Sequence, residues 1–350
     1  MIKFPSLDQY RTAIRSVKQR AQYIGRDENG DATYNPTAPL PTLKYEGTVK
    51  LHGTNAGIVY DVTKDTLSYQ SRERELSLTS DNAGFMLFMS QPEVEEKLRE
   101  KLLTISQACS YFAHPVKEVA LFGEWCGAGI QKGVAISELP KMFVTFAVKV
   151  FFGEDNSNWV KLPGFRTVSI PEHRIFSIYQ FPTYEVEIDF EKPEVAQNEM
   201  IKITEAVENE CPVGKHFGVS GVGEGVVWMP ITPDWYSSDF WFKVKGEKHS
   251  VSKVKTLAPI DVELIATQRA FIESVVTEAR LEQGLHNLVN EQLKPFEMSS
   301  LGDFIRWVFN DVIKEEMDTI VANQYDPKKL GSPIADVARK WYINKFNSEN

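Results

Sequence analysis

The run Lys50-Leu-His52-Gly53-Thr-Asn55 places an amine, an imidazole and a carboxamide within six positions around a glycine. Residues 44–60 read as two β-rich flanks with this run as the turn between them. Lys50 is then presented at the end of a strand, beside a glycine that lets a backbone or a ligand approach closely. An amine is a nucleophile only when deprotonated. Its reference pKa is ~10.4 and a useful value is nearer ~7–8, so its surroundings must supply roughly 4 kcal/mol. Burial, a second cation or a bound metal can do that.

Candidates for those surroundings lie far along the chain. Glu124 ends an apolar strand and is followed by the glycine-rich stretch 125–133, whereas Glu224 sits between Gly223 and Gly225. Lys243 and Lys245 are two residues apart, which puts both on one face of a strand. Two ammonium groups aimed at one point are costly unless phosphates or carboxylates lie there. Arg72 follows a predicted hairpin. Taken singly each feature has a bland explanation: a solvated lysine, a histidine bonded to a carbonyl, a turn glutamate, an amphipathic edge strand. Taken together, a lysine nucleophile, two acids, two lysines and an arginine suit transfer of a nucleotidyl group. That chemistry is mostly positioning and charge stabilisation on phosphate oxygens, with a divalent metal assisting.

The elements that must hold these groups can be read in order. Ser6 with Gln9 suggests a capping box, opening a helix marked by Leu7, Tyr10, Ile14 and Val17. Its Arg11, Arg15, Lys18 and Arg20 read as a solvated face. Residues 24–41, rich in glycine and proline, read as a long irregular connection. Three strands are expected between Thr42 and Ser71, the last two forming a hairpin through 61–65. A helix over 92–107 opens at Pro92, and strands are expected at 118–123, 141–152, 221–230 and 240–245, with a helix over 193–210. Beyond Pro259 the pattern is helical, over 262–281, 285–293, 301–320 and 334–346. The junction at 255–259 predicts a boundary between a first domain, 1–256, and an all-α C-terminal domain, 257–350.

Formal charge is −9 and the pI about 5.4, which excludes a basic nucleic-acid coat but not a local basic groove. Acidic residues outnumber basic ones in 258–350, whereas 241–255 carries Lys243, Lys245, Lys248, Lys253 and Lys255 against Glu247 alone. The positive field therefore lies beside the candidate site. Cys109, Cys126 and Cys211 form no paired motif, so a reducing compartment is expected, with neither a disulfide framework nor a zinc knuckle. The N-terminus lacks the apolar run of a signal peptide, and the most apolar stretch, 143–152, is too short to cross a bilayer. A cytoplasmic protein without membrane contact is expected.

Several of these stretches together resemble the RNA ligase 2 family of covalent nucleotidyltransferases, which includes the kinetoplastid RNA-editing ligases. Lys50-Leu-His52-Gly-Thr-Asn55 resembles the nucleophile motif; His and Asn there separate it from DNA ligases and capping enzymes. Arg72 resembles the arginine after the following hairpin. Phe122-Gly-Glu124-Trp with its trailing loop resembles the third motif, and Phe146 the aromatic that stacks on adenine. Glu224-Gly-Val-Val resembles the fourth motif and Lys243-Val-Lys245 the fifth. The resemblance covers about residues 40–250.

It implies an α+β fold, an adenylyltransferase (nucleotidyltransferase) domain of two antiparallel-rich sheets with flanking helices and ATP between them. It implies an ATP-dependent RNA ligase that joins 3′-OH and 5′-phosphate RNA ends, nicks in duplex RNA above all, through a lysyl-AMP and an adenylylated RNA 5′ end. Lys50 is then the nucleophile, with Lys243 and Lys245 on the α-phosphate and lowering the pKa of the Lys50 amine. Glu224 binds Mg2+ or Mn2+, Glu124 binds the ribose, Arg72 and Asn55 orient phosphate or sugar, and His52 acts once RNA is engaged. A monomer is expected. Val49 stands where some members of the family have an acidic residue and Ala147 where an aspartate is common, which leaves base recognition to other groups. Two other readings remain open at this stage: a ligase whose main substrate is DNA, and a non-catalytic nucleotide- or RNA-binding protein.

Overall fold

The structure, a computed structural model, describes residues 1–112, 114–153, 156–246, 268–323 and 325–349. Two compact units are distinguished, Met1–Gly246 and Glu247–Asn350. The boundary expected at 255–259 lies outside the described residues, as do Lys248, Lys253 and Lys255.

β-Branched and aromatic residues are concentrated in the first unit, and they form sheets there. In chain order the unit runs β1 (Asp8–Gln9), α1 (Tyr10–Gln22), β2 (Tyr23–Arg26), β3 (Ala32–Tyr34), β4 (Thr42–Lys50), β5 (Thr54–Asp61), β6 (Thr66–Ser71), α2 (Phe85–Met89) and α3 (Pro92–Phe112). It continues with β7 (Glu118–Cys126), β8 (Met142–Gly153), β9 (Asn156–Trp159), β10 (Ile175–Ser177), β11 (Thr183–Asp189), α4 (Pro193–Asn209), α5 (Pro212–His216), β12 (Gly225–Pro230) and β13 (Phe242–Lys245). One sheet has the order β1-β13-β12-β4-β11, a second β10-β8-β7-β5-β6 with β9 beside β8, and β2 pairs with β3. All pairings are antiparallel except β1 with β13 and β10 with β8. The expected α+β architecture with two antiparallel-rich sheets is what the chain adopts.

Each large sheet is covered on its outer face. Val94, Leu98, Leu102 and Ile105 recur along α3 at helical spacing and pack with Ile58, Tyr60, Val119 and Leu121 of the six-stranded sheet. All four are at most 3% exposed, so each contributes roughly 1.5–3 kcal/mol by leaving water. On the five-stranded sheet the rings of Tyr10 from α1 and Tyr45 from β4 lie 4.8 and 5.3 Å from that of Phe242. The inner faces meet each other: Val227, Met229 and Trp241 share a cluster with Phe146 and Trp159.

Several local expectations need correction. The capping box at Ser6 does not form; α1 begins at Tyr10, with Gln9 at its N-cap and no side-chain cap bond. Ser6 faces Arg72 instead, because Asp8 and Gln9 are drawn out as a strand beside β13. The connection predicted as irregular over 24–41 contains the β2–β3 hairpin, in which Tyr23 and Tyr34 are cross-strand partners. Gly30 supplies the turn, and Gly25 lies inside β2 at a register shift, so neither abolishes the strands.

The second unit contains α6 (Gln268–Val275), α7 (Glu278–His286), α8 (Leu301–Ala322) and α9 (Pro327–Glu349). The helix expected over 262–281 is broken within its described part, because the Thr277 side chain accepts from the Arg280 N–H and starts a new helix. The helix expected over 285–293 is instead the end of α7 followed by a π-helical turn, Asn287–Glu291. Phe304, Val308 and Val312 of α8 pack with Leu330, Ile334, Ala338 and Tyr342 of α9. Arg280 is fully buried and bonds to Asp311 at 2.8 Å and Glu316 at 3.4 Å, so its charge is compensated where water cannot reach it. No described helix of the chain is long and apolar enough to cross a membrane.

The register of the five-stranded sheet is what aligns the basic side chains. Gly225 stands opposite Lys50 on one side and Lys245 on the other, and the next row on that face is Thr48, Val227, Lys243. Gly225 has φ +151°, and a Cβ there would collide with the Val244 carbonyl oxygen and lie 2.8 Å from Lys245 Cα. Gly225→Ala is therefore expected to lower the urea midpoint, at unchanged m, by about 1–3 kcal/mol of stability. A midpoint equal to that of the parent chain would refute this account of the row.

Candidate active site

Lys50 is the last residue of β4, and Glu224 immediately precedes β12, its neighbour. Glu224 is placed there by Gly223, whose missing side chain leaves room only for the Val207 backbone of α4. The Lys50 ammonium donates to Glu224 Oε2 at 2.6 Å, and Lys245 Nζ lies 3.1 Å from Oε1. His52 Nδ1 is 3.6 Å from Oε2. The Glu224 side chain is 1% exposed, against 19% for Lys50 and 10% for Lys245. Three groups predicted from opposite ends of the first unit thus converge on one buried carboxylate. Lys243 shares their face one row further along.

The six-stranded sheet supplies the opposite wall. Asn55 on β5 is the cross-strand partner of Glu124 on β7. Glu124 accepts a hydrogen bond of 2.9 Å from the Gly53 N–H, which folds the turn after Lys50 back onto the carboxylate. A Cβ at Gly53 would strike the Trp125 carbonyl oxygen and come within 2.7 Å of Cys126 Cβ, so only glycine closes this turn. Gln131, from the glycine-rich loop, donates to the Gly53 carbonyl at 3.3 Å. Arg72 is exposed just after β6 and donates to Ser6 Oγ at 2.8 Å.

Phe146 reaches the inner face through an irregularity. Between β7 and β8 the register shifts, with Phe122 opposite Ala147 and Gly123 opposite Thr145. Phe146 is the extra residue, and a bulge of this kind re-aims a side chain. Its ring lies 4.9 Å from that of Phe4. The approach of Phe4 was missed by sequence reasoning. Ile2 and Phe4 lie two apart with Lys3 between them, and that spacing was the available signal. Gln70 was missed as well: it receives the Ile2 N–H at 3.0 Å and donates to the Ile2 carbonyl.

The electrostatics of the pocket set the two acids apart. Burial pushes the Glu124 carboxyl up to about 7; Lys50 opposes that, Glu224 reinforces it, and the Gly53 N–H and Arg72 oppose it. Burial acts on Glu224 in the same direction, but Lys50, Lys245 and His52 outweigh it and hold this carboxyl well below the usual range. Lys245 is brought down to about 8 by burial, with Lys50 and Lys243 adding and Glu224 opposing. Different environments thus give neighbouring carboxyls different proton affinities.

A carboxyl raised from 4.5 to about 7 favours the folded state while protonated, and that contribution is lost as pH rises through 7. The stability of the parent chain relative to Glu124→Gln should therefore fall between pH 4.5 and 7. Urea unfolding at several pH values measures it, and curves that run parallel across this window would remove the assignment.

Comparison with known proteins adds the family. Residues 43–245 match the RNA ligase family. Curated protein sequences gave no match. Among solved structures, a mutant of Naegleria gruberi RNA ligase with ATP and Mn is 14% identical, with 71% of this chain and 57% of that chain covered and a TM-score of 0.39. The same ligase with PPi is 14% identical, covers 71% and 56%, and has a TM-score of 0.37. An apo mutant is 16% identical over 71% and 56%, at a TM-score of 0.40. This chain spans a little over half the length of that ligase. The family match takes in the strands that carry Lys50, Glu124, Glu224, Lys243 and Lys245, and it extends over more than half of the sequence: the chain belongs to the RNA ligase family.

Proposed function

We propose that the chain is an ATP-dependent RNA ligase of the RNA ligase 2 type, joining 3′-OH and 5′-phosphate ends and acting above all on nicks in duplex RNA. The observation that carries this reading is the convergence of Lys50 and Lys245 on Glu224, with Glu124 on the facing sheet. In the first step the Lys50 amine attacks the α-phosphorus of ATP. A P–N bond forms, the bond from the α-phosphorus to the bridging oxygen breaks, and pyrophosphate departs as the amine loses a proton. AMP then passes from Lys50 to the RNA 5′-phosphate, and the adjoining 3′-OH displaces it to make the phosphodiester.

The residues take their roles from their surroundings. Lys50 at rest donates to Glu224 as an ammonium, and its lone pair appears only when a proton is given up and that contact is released. Lys245 and Lys243 lie on the same sheet face, suited to the negative oxygens that gather charge on the α-phosphate. Phe146 offers a ring to the base. Asn55, Glu124 and Arg72 line the approach where ribose and phosphate would be oriented, and His52 borders the same carboxylate as Lys50.

A divalent ion fits this donor set in one way. Among the described residues no group of three or more His, Cys, Asp or Glu could hold a metal by itself. Glu224 presents a buried carboxylate whose Oε1 makes no aligned hydrogen bond although Lys245 lies near it. One carboxylate with substrate phosphates and water is how Mg2+ or Mn2+ is commonly held, so Glu224 would carry the ion and the nucleotide would complete its shell. When bound, the ion supplies charge neutralisation on phosphate oxygens. The helical unit, acidic overall, would contribute a few specific contacts to RNA ends, not a general grip on a polyanion.

The test is incubation with labelled ATP and magnesium, then denaturing electrophoresis of the parent chain and Lys50→Ala. The parent should carry label resistant to denaturation, and Lys50→Ala should lose at least about a thousandfold of it. Equal labelling of both would relocate the nucleophile. Sealing of matched RNA and DNA nicks separates the substrates: faster RNA sealing is expected, and a DNA preference would favour the DNA-ligase reading instead.

A further inference from the structure

The N-terminal segment before α1 runs from one large sheet to the other. At one end, both backbone polar groups of Ile2 are bonded to the Gln70 amide on β6, and the Lys3 ammonium lies 2.9 Å from Glu73. In the middle, Ser6 Oγ accepts from Arg72. At the other end, Asp8 and Gln9 are paired with Phe242 and Lys243 of β13. One sheet thus anchors residues 2–6 and the other anchors residues 8–9. Phe4 lies between these anchors, with its ring 5.3 Å from Phe122, 4.9 Å from Phe146, 5.8 Å from Trp159 and 6.0 Å from Trp241. It belongs to the cluster on the inner face of each sheet, and it shares the first with Val227. Phe4 and Phe146 both remain only half-buried.

We propose that Phe4 is a base-contacting residue of the nucleotide site, an aromatic wall supplied by the N-terminal segment beside Phe146. This rests on the reading that ATP binds between the sheets. Two observations favour a fixed wall over an occupant that ATP must expel. The segment is tied to both sheets, so withdrawal of Phe4 breaks the Ile2–Gln70 pair and strains the β1–β13 pairing. Both residues are also only partly buried, which leaves room for a flat base beside them. An aromatic surface is tolerant of base identity because every base has a π-face. It therefore serves a site in which Val49 and Ala147 bring no acidic side chain to the base edge.

The test measures self-adenylylation of the full chain with labelled ATP, as KM and as rate at saturating ATP, for the parent, Phe4→Ala and Phe4→Tyr. Inorganic tripolyphosphate, which has the phosphates and no base, serves as a competing probe. Phe4→Ala should raise KM for ATP about tenfold, the loss typical of one stacking contact, while the saturated rate stays within twofold. Phe4→Tyr should restore the parent KM, and inhibition by tripolyphosphate should be the same in all three chains. An unchanged KM overturns the inference, and a lowered KM overturns it by making Phe4 a plug. Equal weakening of ATP and tripolyphosphate also overturns it, by making Phe4 a support of the whole cleft. A parent chain that takes no label and gains no thermal stability from ATP would instead remove the ligase reading itself.

Discussion

A carboxylate almost wholly removed from water is tenable only if its charge is met, and Glu224 is met by Lys50, Lys245 and His52. That requirement organises the first unit. It demands that the end of β4, the start of β12 and the end of β13 lie side by side, which the cross-strand row Lys50, Gly225, Lys245 achieves. It also demands space, and glycines at 223 and 225 supply it by leaving two positions without side chains against Val207 and Val244. Removing one of these groups would leave the buried carboxylate with less compensation, so the members depend on one another.

The facing wall works by a different device. Glu124 is paired with a backbone N–H and not with a lysine, and burial is left to dominate its proton affinity. The same cleft therefore holds one carboxyl that stays charged and one that titrates near neutrality. On the proposed reading this division separates the labour: Glu224 keeps company with ammonium groups and metal, and Glu124 can offer either a donor or an acceptor to a sugar hydroxyl.

Much of this was legible in the sequence because it is local or periodic. Strand alternation located β4 to β6 and the helical spacing of α3. Lys243 and Lys245 could be assigned to one face from their separation alone. What the sequence withheld depends on register. Nothing in Phe146 itself reveals that a shift between Phe122 and Gly123 turns it inward. Ser6 satisfied the spacing of a capping box, yet its hydroxyl is bonded to Arg72, some sixty residues away, because the pull of β13 on Asp8 and Gln9 overrides the local preference. The glycines of 24–41 were read as breakers when Gly30 serves a hairpin turn and Gly25 lies within β2, and Thr277 was read as a helical residue when it caps the next helix. In each case a hydrogen bond to a distant or following group won over propensity.

On the proposed reading, the resting contact between Lys50 and Glu224 bears on how such a site avoids reacting out of turn. An ammonium bonded to a buried carboxylate at 2.6 Å is a poor nucleophile and a stable one. Lys245, by contrast, already sits among cations and away from water, and it is the amine whose proton is loosened, to about 8. Any ligand that draws the Glu224 charge toward itself weakens the hold on Lys50, while phosphate oxygens beside Lys245 make its protonated state favourable again. One arriving polyanion would thereby loosen the Lys50 contact and restore the charge of Lys245.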